Sequence, residues 1–225
     1  MLLNLRETEE QKIYVSSDFH LGHQRDFVWQ ARGFTDVQSH DTGVIDSINA
    51  LVRPNDILLF LGDFCLNTTM AQFDEYLARI NCQNIWCIWG NHNNPHEKNA
   101  FRKAMPSISI NGHLYDTETY PFKYKNVVYW GHYAEMVLNG QYAVLMHYPL
   151  YIWNEMAHGA WMLCGHSHYG CPLTKADNLY GKILDVGWDG YKKPLSLKEI
   201  AAIMDNKQFA AVDNHHVNKQ KVTQI

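Results

Sequence analysis

Three short apolar runs set the frame for the first third of the chain. Residues 13–17 (IYVSS), 56–61 (DILLFL) and 84–89 (NIWCIW) are each too short for a helix. They stop at Asp18, at Gly62-Asp63 and at Gly90-Asn91-His92. Between them the period changes. Residues 41–52 carry Val44, Ile45, Ile48, Leu51 and Val52 at helical spacing ahead of Pro54, and Thr68 or Thr69 can cap a helix with Phe73, Tyr76, Leu77 and Ile80 on one face. The result is a βαβαβ pattern, which calls for a parallel sheet with right-handed crossovers. The near-continuous apolarity of residues 56–61 is what a strand covered on both faces needs.

Beyond this third the pattern changes. Residues 107–110, 126–130 and 142–146 read as strands divided by turn residues (Asn111-Gly112, Lys125-Asn126, Asn139-Gly140) rather than by long helices, so a second, more antiparallel sheet is expected. Residues 161–164 and 182–186 are two further strands. Residues 195–204 read as a helix begun by Ser196, with Glu199 completing a capping box. Residues 205–225 are polar and are expected to form a loosely held tail. With no repeat and no low-complexity linker, one domain spans residues 1–225, with its core at about 13–204. The expected class is α/β, with a parallel sheet and a second, more antiparallel one.

Composition narrows the partners. The 225 residues are 46% hydrophobic, enough to bury roughly 70% of the unfolded surface without disulfides. The five cysteines are odd in number and form no CxxC pair, which points to thiols in a reducing cytoplasm. The first residues lack a basic segment followed by an apolar run, and no apolar stretch approaches the roughly 20 residues of a membrane span. A cytoplasmic protein with no membrane partner is expected. A net charge of −4 disfavours holding long nucleic acid by bulk charge. A homodimer is compatible with all of this.

Chemistry gathers where strands end. To the three endings already named are added His147 after residues 143–146 and Gly165-His166-Ser167-His168 after residues 161–164. Each piece alone reads as a turn, because Gly and Asn tolerate positive φ. Five of them, in order and each after an apolar run, form a constellation, and ligands of α/β sheets bind outside the carboxyl ends of strands. Imidazole and carboxylate donors suit Mn, Fe, Zn or Ni. The cysteines stand outside the pattern, so a structural zinc cage is not indicated. Seven donors are too many for one ion and enough for two if one carboxylate bridges.

The series Asp18-x-His20, Gly62-Asp63, Gly90-Asn91-His92, His147 and Gly165-His166-x-His168 resembles the calcineurin-like metallophosphoesterase superfamily, over about residues 13–204. The run from Ser17 to His23 (SDFHLGH), His147-Tyr148-Pro149, and the run from Asp185 to Asp189 (DVGWD) before Pro194 are similar to a group of small bacterial and phage phosphoesterases. The resemblance implies a four-layer α/β/β/α fold, two facing mixed β-sheets flanked by helices, and two metal ions, manganese favoured, in a bacterial or phage-infected cytoplasm. It places Asp18, His20 and His168 on one ion, Asp63 as the bridge, and Asn91, His147 and His166 on the other. His92 would stand beside the phosphorus and either protonate the leaving oxygen or stabilise the charge on the phosphoryl group. The implied reaction is hydrolysis of a small phosphodiester, a nucleotide or cyclic nucleotide, by in-line attack of a metal-bridging hydroxide. The alternatives are a phosphomonoesterase or protein phosphatase, a DNA nuclease, and a weakly active protein that sequesters nucleotides.

Two positions depart from the family. Asn93 stands where a carboxylate often follows the histidine, and is expected to orient His92 without supplying charge. Leu66 replaces an outer carboxylate, leaving Asp185 and Asp189 as candidates for that support. His23 either touches the substrate phosphate or orients a ligand. His132 is expected in a turn near the mouth. Trp153, Trp161, Trp188, Tyr148 and Tyr151 form either core or a wall on which a base stacks.

Overall fold

Strands β2 (Ile13–Ser16), β3 (Ile57–Phe60) and β4 (Asn84–Cys87) lie side by side and parallel in this computed structural model, as the βαβαβ pattern requires. The structure describes residues 2–93, 107–110, 113–116, 120–178 and 181–208. Helix α1 (Asp26–Ala31) and the longer α2 (Val37–Asn49) come between β2 and β3, and α3 (Met70–Arg79) between β3 and β4. Each longer helix starts at a capping box. Asp36 Oδ1 accepts the Ser39 N–H at 2.7 Å, so α2 begins ahead of the expected residue 41. Thr69, rather than Thr68, pairs with Gln72 at the start of α3.

The first sheet continues past its parallel centre in the order β13-β2-β3-β4-β8-β7, with β7 (Phe122–Tyr124), β8 (Val127–Tyr129) and β13 (Leu195–Ser196). The second has the order β1-β9-β10-β11-β12, formed by β1 (Leu3–Leu5), β9 (Tyr133–Leu138), β10 (Gln141–Met146), β11 (Trp161–Cys164) and β12 (Ile183–Asp185). β5 (Ser107–Ile110) and β6 (His113–Asp116) pair only with each other among the described residues. Two expectations are corrected here. The strand at residues 126–130 belongs to the first sheet, paired with β4. The second sheet is mostly parallel, since only the β9–β10 hairpin at Asn139-Gly140 runs antiparallel.

Alternation along the strands divides the core. Ile13, Val15, Ile57, Leu59 and Leu61 point into one cluster with Met136, Leu138, Ala143, Leu145 and Leu163, side chains of the second sheet. Leu58 and Phe60 point the other way, into a cluster with Val44, Ile45 and Ile48 of α2 and Phe73 and Leu77 of α3. Each such side chain contributes about 1.5–3 kcal/mol on full burial. Val144, between two members of the inter-sheet cluster, faces a third group with Trp153, Met162 and Cys164. Helix α4 (Trp188–Tyr191) and helix α5 (Leu197–Asp205) complete the chain, α5 capped by the expected Ser196–Glu199 box. The five cysteines remain thiols, four buried and Cys171 half-buried. Among the described residues, no helix is long and apolar enough to cross a membrane. Most of the polar tail, residues 209–225 with His215 and His216, lies outside the described residues.

Candidate metal centre

The loops that leave β2, β3, β4, β10 and β11 converge, and all seven sequence-predicted donors meet there. Five of them, Asp18, His20, Asp63, His166 and His168, have φ between 49° and 67°. That left-handed backbone costs of the order of 1–3 kcal/mol per residue without glycine and persists only where the surroundings hold it. The loops are also in close contact. A Cβ on Gly90 would lie 2.1 Å from Asp63 Oδ1, and one on Gly165 would lie 2.4 Å from Asp18 Oδ2. Glycine at both positions lets backbone approach the carboxylates.

Two donor groups stand out, Asp18–His20–His168 and Asp18–Asp63–His147. In the first, His20 Nε2 lies 3.2 Å from His168 Nε2 and 3.8 Å from Asp18 Oδ1. His168 Nδ1 donates to Asp189 Oδ2 at 2.8 Å, so its Nε2 holds a lone pair. His20 is buried and its Nδ1 has no hydrogen-bond partner among the described residues. In the second group, His147 Nδ1 donates to the Leu61 carbonyl at 2.8 Å. Its Nε2 then faces Asn91 Oδ1 at 2.8 Å and Asp63 Oδ2 at 3.3 Å. His166 Nδ1 approaches the same Asn91 oxygen at 2.9 Å. Imidazole nitrogens, carboxylate oxygens and an amide oxygen crowded within ligating reach of one another are a donor set that suits a cation, so the residues fit metal ions. Asp63 Oδ2 also sits 3.8 Å from His20 Nε2, between the two groups, while Asp18 belongs to both. Two carboxylates, Asp63 and Asp18, therefore lie between the two groups where the sequence pointed to Asp63 alone.

The electrostatics follow from burial and charge. Burial pushes the Asp18 carboxyl up to about 6. Burial also drives His20 well below the ordinary imidazole range, helped by the neighbouring His168. Burial would lower His147 too, but Asp63 and Asp18 outweigh it and hold it up. Asp63 is held down, because His147, His20 and the His92 amide outweigh the burial that would raise it. A metal entering this site must therefore displace protons from Asp18 and compete with one on His147. Mn²⁺ affinity, measured by calorimetric titration from pH 5 to 8, is expected to fall below about pH 6 by about tenfold per unit for each proton displaced. Affinity flat through that range would remove Asp18 from the donor set.

An outer layer holds the first group. Asp189 accepts from His168 and, through both oxygens, from Arg32 at 2.9 and 2.6 Å. The buried Arg32 also donates to the Phe19 and Asp18 carbonyls at 2.8 and 2.7 Å and to His40 Nε2 at 2.8 Å. His40 Nδ1 then donates to Asp41, which takes a hydroxyl proton from Tyr76. Despite burial, His168 and Arg32 hold the Asp189 carboxyl far below its ordinary range. Asp189 thus supports His168, and Asp185 braces the adjoining loop by accepting from Ser167 Oγ and the Tyr169 amide. His40, Asp41 and Tyr76 were not singled out from sequence. Tyr76 lies 35 positions from Asp41, and the link from Arg32 through His40 to Asp41 follows no recognisable local pattern.

The remaining candidates separate. The His92 ring is exposed, its centre 5.8 Å from that of His20, and the His92 backbone N–H donates to Asp63 Oδ1 at 2.7 Å. Asn93 does not orient it. Asn93 is buried, with Oδ1 accepting the Gly90 and Asp63 amides, so it pins the loop instead. His23 bonds no candidate ligand among the described residues and lines a cleft beside His20. Trp153, Trp161 and Trp188 are buried core, whereas Tyr148 and Tyr151 are exposed. Tyr148 packs 4.5 Å from the His166 ring. His132 sits exposed in the bend before β9.

No family model matches the chain. It is 30% identical over 105 residues to the uncharacterized protein MJ1445 of Methanocaldococcus jannaschii, a stretch covering 47% of this chain. The chain spans 56% of that relative's length. Its fold is similar to the crystal structure of AQ665, a protein of unknown function from Aquifex aeolicus, with a TM-score of 0.58 over 86% of this chain and 99% of that one. At 16% identity that likeness shows the fold alone, a mixed α/β architecture with two mixed sheets and several helices.

Proposed function

We propose that this chain is a two-metal-dependent phosphoesterase of the calcineurin-like metallophosphoesterase superfamily, with its four-layer α/β/β/α fold, and that it prefers small phosphodiesters. The observation that carries the reading is the convergence of seven Asp, Asn and His side chains from five strand ends, with two carboxylates between two groups of imidazoles. Asp18, His20 and His168 would hold one ion, Asn91, His147 and His166 the other, with Asp63 shared. Bound there, the ions would supply Lewis acidity at a phosphoryl oxygen and a hydroxide nucleophile at neutral pH. His92 stands exposed on the same cleft and is placed to give a proton to the leaving oxygen.

The cations around the cleft favour a diester. Arg32 is neutralised by Asp189 and spent on carbonyls, which leaves Arg25 as the one uncommitted arginine among the cleft's described residues. A dianionic monoester calls for more basic clamps than that. Chelation is expected to abolish hydrolysis, and added Mn²⁺ to restore it. The reloaded protein should cleave a small diester at least about tenfold faster, in kcat/KM, than an aryl monoester. A monoester cleaved faster points to the phosphatase, duplex DNA cleaved fastest with a steep loss in salt points to the nuclease, and full activity after chelation ends the proposal.

A further inference from the structure

We infer that the cleft between α1 and the candidate metal centre seats the leaving arm of the substrate, and that this arm carries a planar base, so that the substrate is a diester that releases a nucleoside. The inference rests on the phosphoesterase reading and names its substrate class. The cleft encloses about 540 Å³, within the range of small-molecule sites. Its lining includes the polar His20, His168 and His92 and an apolar wall of Phe27 and Val28 of α1 with Leu66.

Nothing in the fold asks for that apolar wall. α1 buries none of its residues, and Phe27 is 63% exposed. Yet the ring is held. It meets His23 edge-to-face at 5.4 Å, and His23 meets His20 edge-to-face at 6.1 Å. An exposed aromatic face within two rings of a candidate metal donor can serve as a stacking platform. The tryptophans that could have served that purpose are in the core.

The polar groups at the mouth complete the match. His23 Nδ1 accepts the Arg25 amide at 3.1 Å, so the proton sits on Nε2, a donor for an anionic oxygen in a residue that lines the cleft. The Arg25 guanidinium makes no ion pair among the described residues. Together they suit a nucleotide phosphate, with the base beyond it on Phe27. His92 opens on this side, which makes this arm the one that leaves. The P–O bond to the nucleoside breaks, the oxygen of water joins phosphorus, and a proton from His92 passes to the departing nucleoside oxygen. The products are a nucleotide monoester and a nucleoside hydroxyl.

The test compares a dinucleotide with the methyl ester of the same nucleotide, which leaves methanol. Truncating an exposed ring spares the core, so Phe27→Ala should retain its metal. It is expected to lose about 5- to 150-fold in kcat/KM on the dinucleotide, as for one lost base stack, and less than twofold on the methyl ester. Phe27→Trp should restore the dinucleotide rate. Equal losses on both substrates, or none on either, overturn the inference. Dinucleotide binding to metal-loaded His92→Ala protein, with and without Phe27→Ala, judges the cleft without turnover. If the wild-type protein hydrolyses neither diester, the phosphoesterase reading fails. Unchanged dinucleotide affinity in the double variant overturns the cleft assignment itself.

Discussion

Asp63→Asn should fold, retain at most one of two metal ions, and lose at least about 10³-fold in hydrolytic rate, as expected when charge stabilisation worth several kcal/mol is removed. The side chain is buried, with Oδ2 at 3.3 Å from His147 Nε2 and 3.8 Å from His20 Nε2, so one oxygen serves both imidazole groups. The amide keeps an oxygen that can accept the His92 N–H, which preserves the loop. It removes the negative charge that offsets two cations, and one of its two positions becomes a nitrogen that cannot ligate. Elemental analysis gives the stoichiometry and circular dichroism the fold. Two ions retained by a folded Asp63→Asn protein would assign the bridge to Asp18, which belongs to both donor groups.

The donors were legible in the sequence because each is local. An apolar run, a glycine or tight turn, then an acid or imidazole can be read within six residues, and the order of five such runs pointed to one crevice outside the carboxyl ends of the strands. What holds the donors was not legible. Arg32 reaches Asp189 across 157 positions, and nothing near either residue announces the pair. The left-handed backbone at Asp18, His20, Asp63, His166 and His168 is imposed by tertiary contacts against local preference. Asn93 was assigned to His92 by adjacency, yet the loop turns its side chain inward to the Gly90 and Asp63 amides.

The second sheet failed for a related reason. Parallel pairing was inferred from intervening helices, but β10, β11 and β12 are joined by segments whose helices are single 3₁₀ turns, at Met156–His158 and Pro172–Thr174. With no helical period to read, the turn residues suggested hairpins. β1 has only three residues and finds its partner β9 more than 130 positions away, below what alternation can signal.

His92→Ala separates chemistry from binding. It is expected to keep both metals and to lose roughly 10²–10⁴ in kcat, the range for a positioned acid or base. Among the described residues the His92 ring makes no hydrogen bond to a candidate donor, unlike the rings of His20, His147, His166 and His168. Only its backbone joins the site, through Asp63 Oδ1 at 2.7 Å, and alanine keeps that N–H. The loss should track the leaving group. A nitrophenolate departs without a proton, so its release should suffer far less than release of a nucleoside alkoxide, which needs one. Elemental analysis of the variant and kcat on two diesters that differ only in leaving-group basicity provide the check. Loss of a metal would make His92 a ligand, and equal losses on both diesters would assign it to stabilising phosphoryl charge rather than to proton transfer.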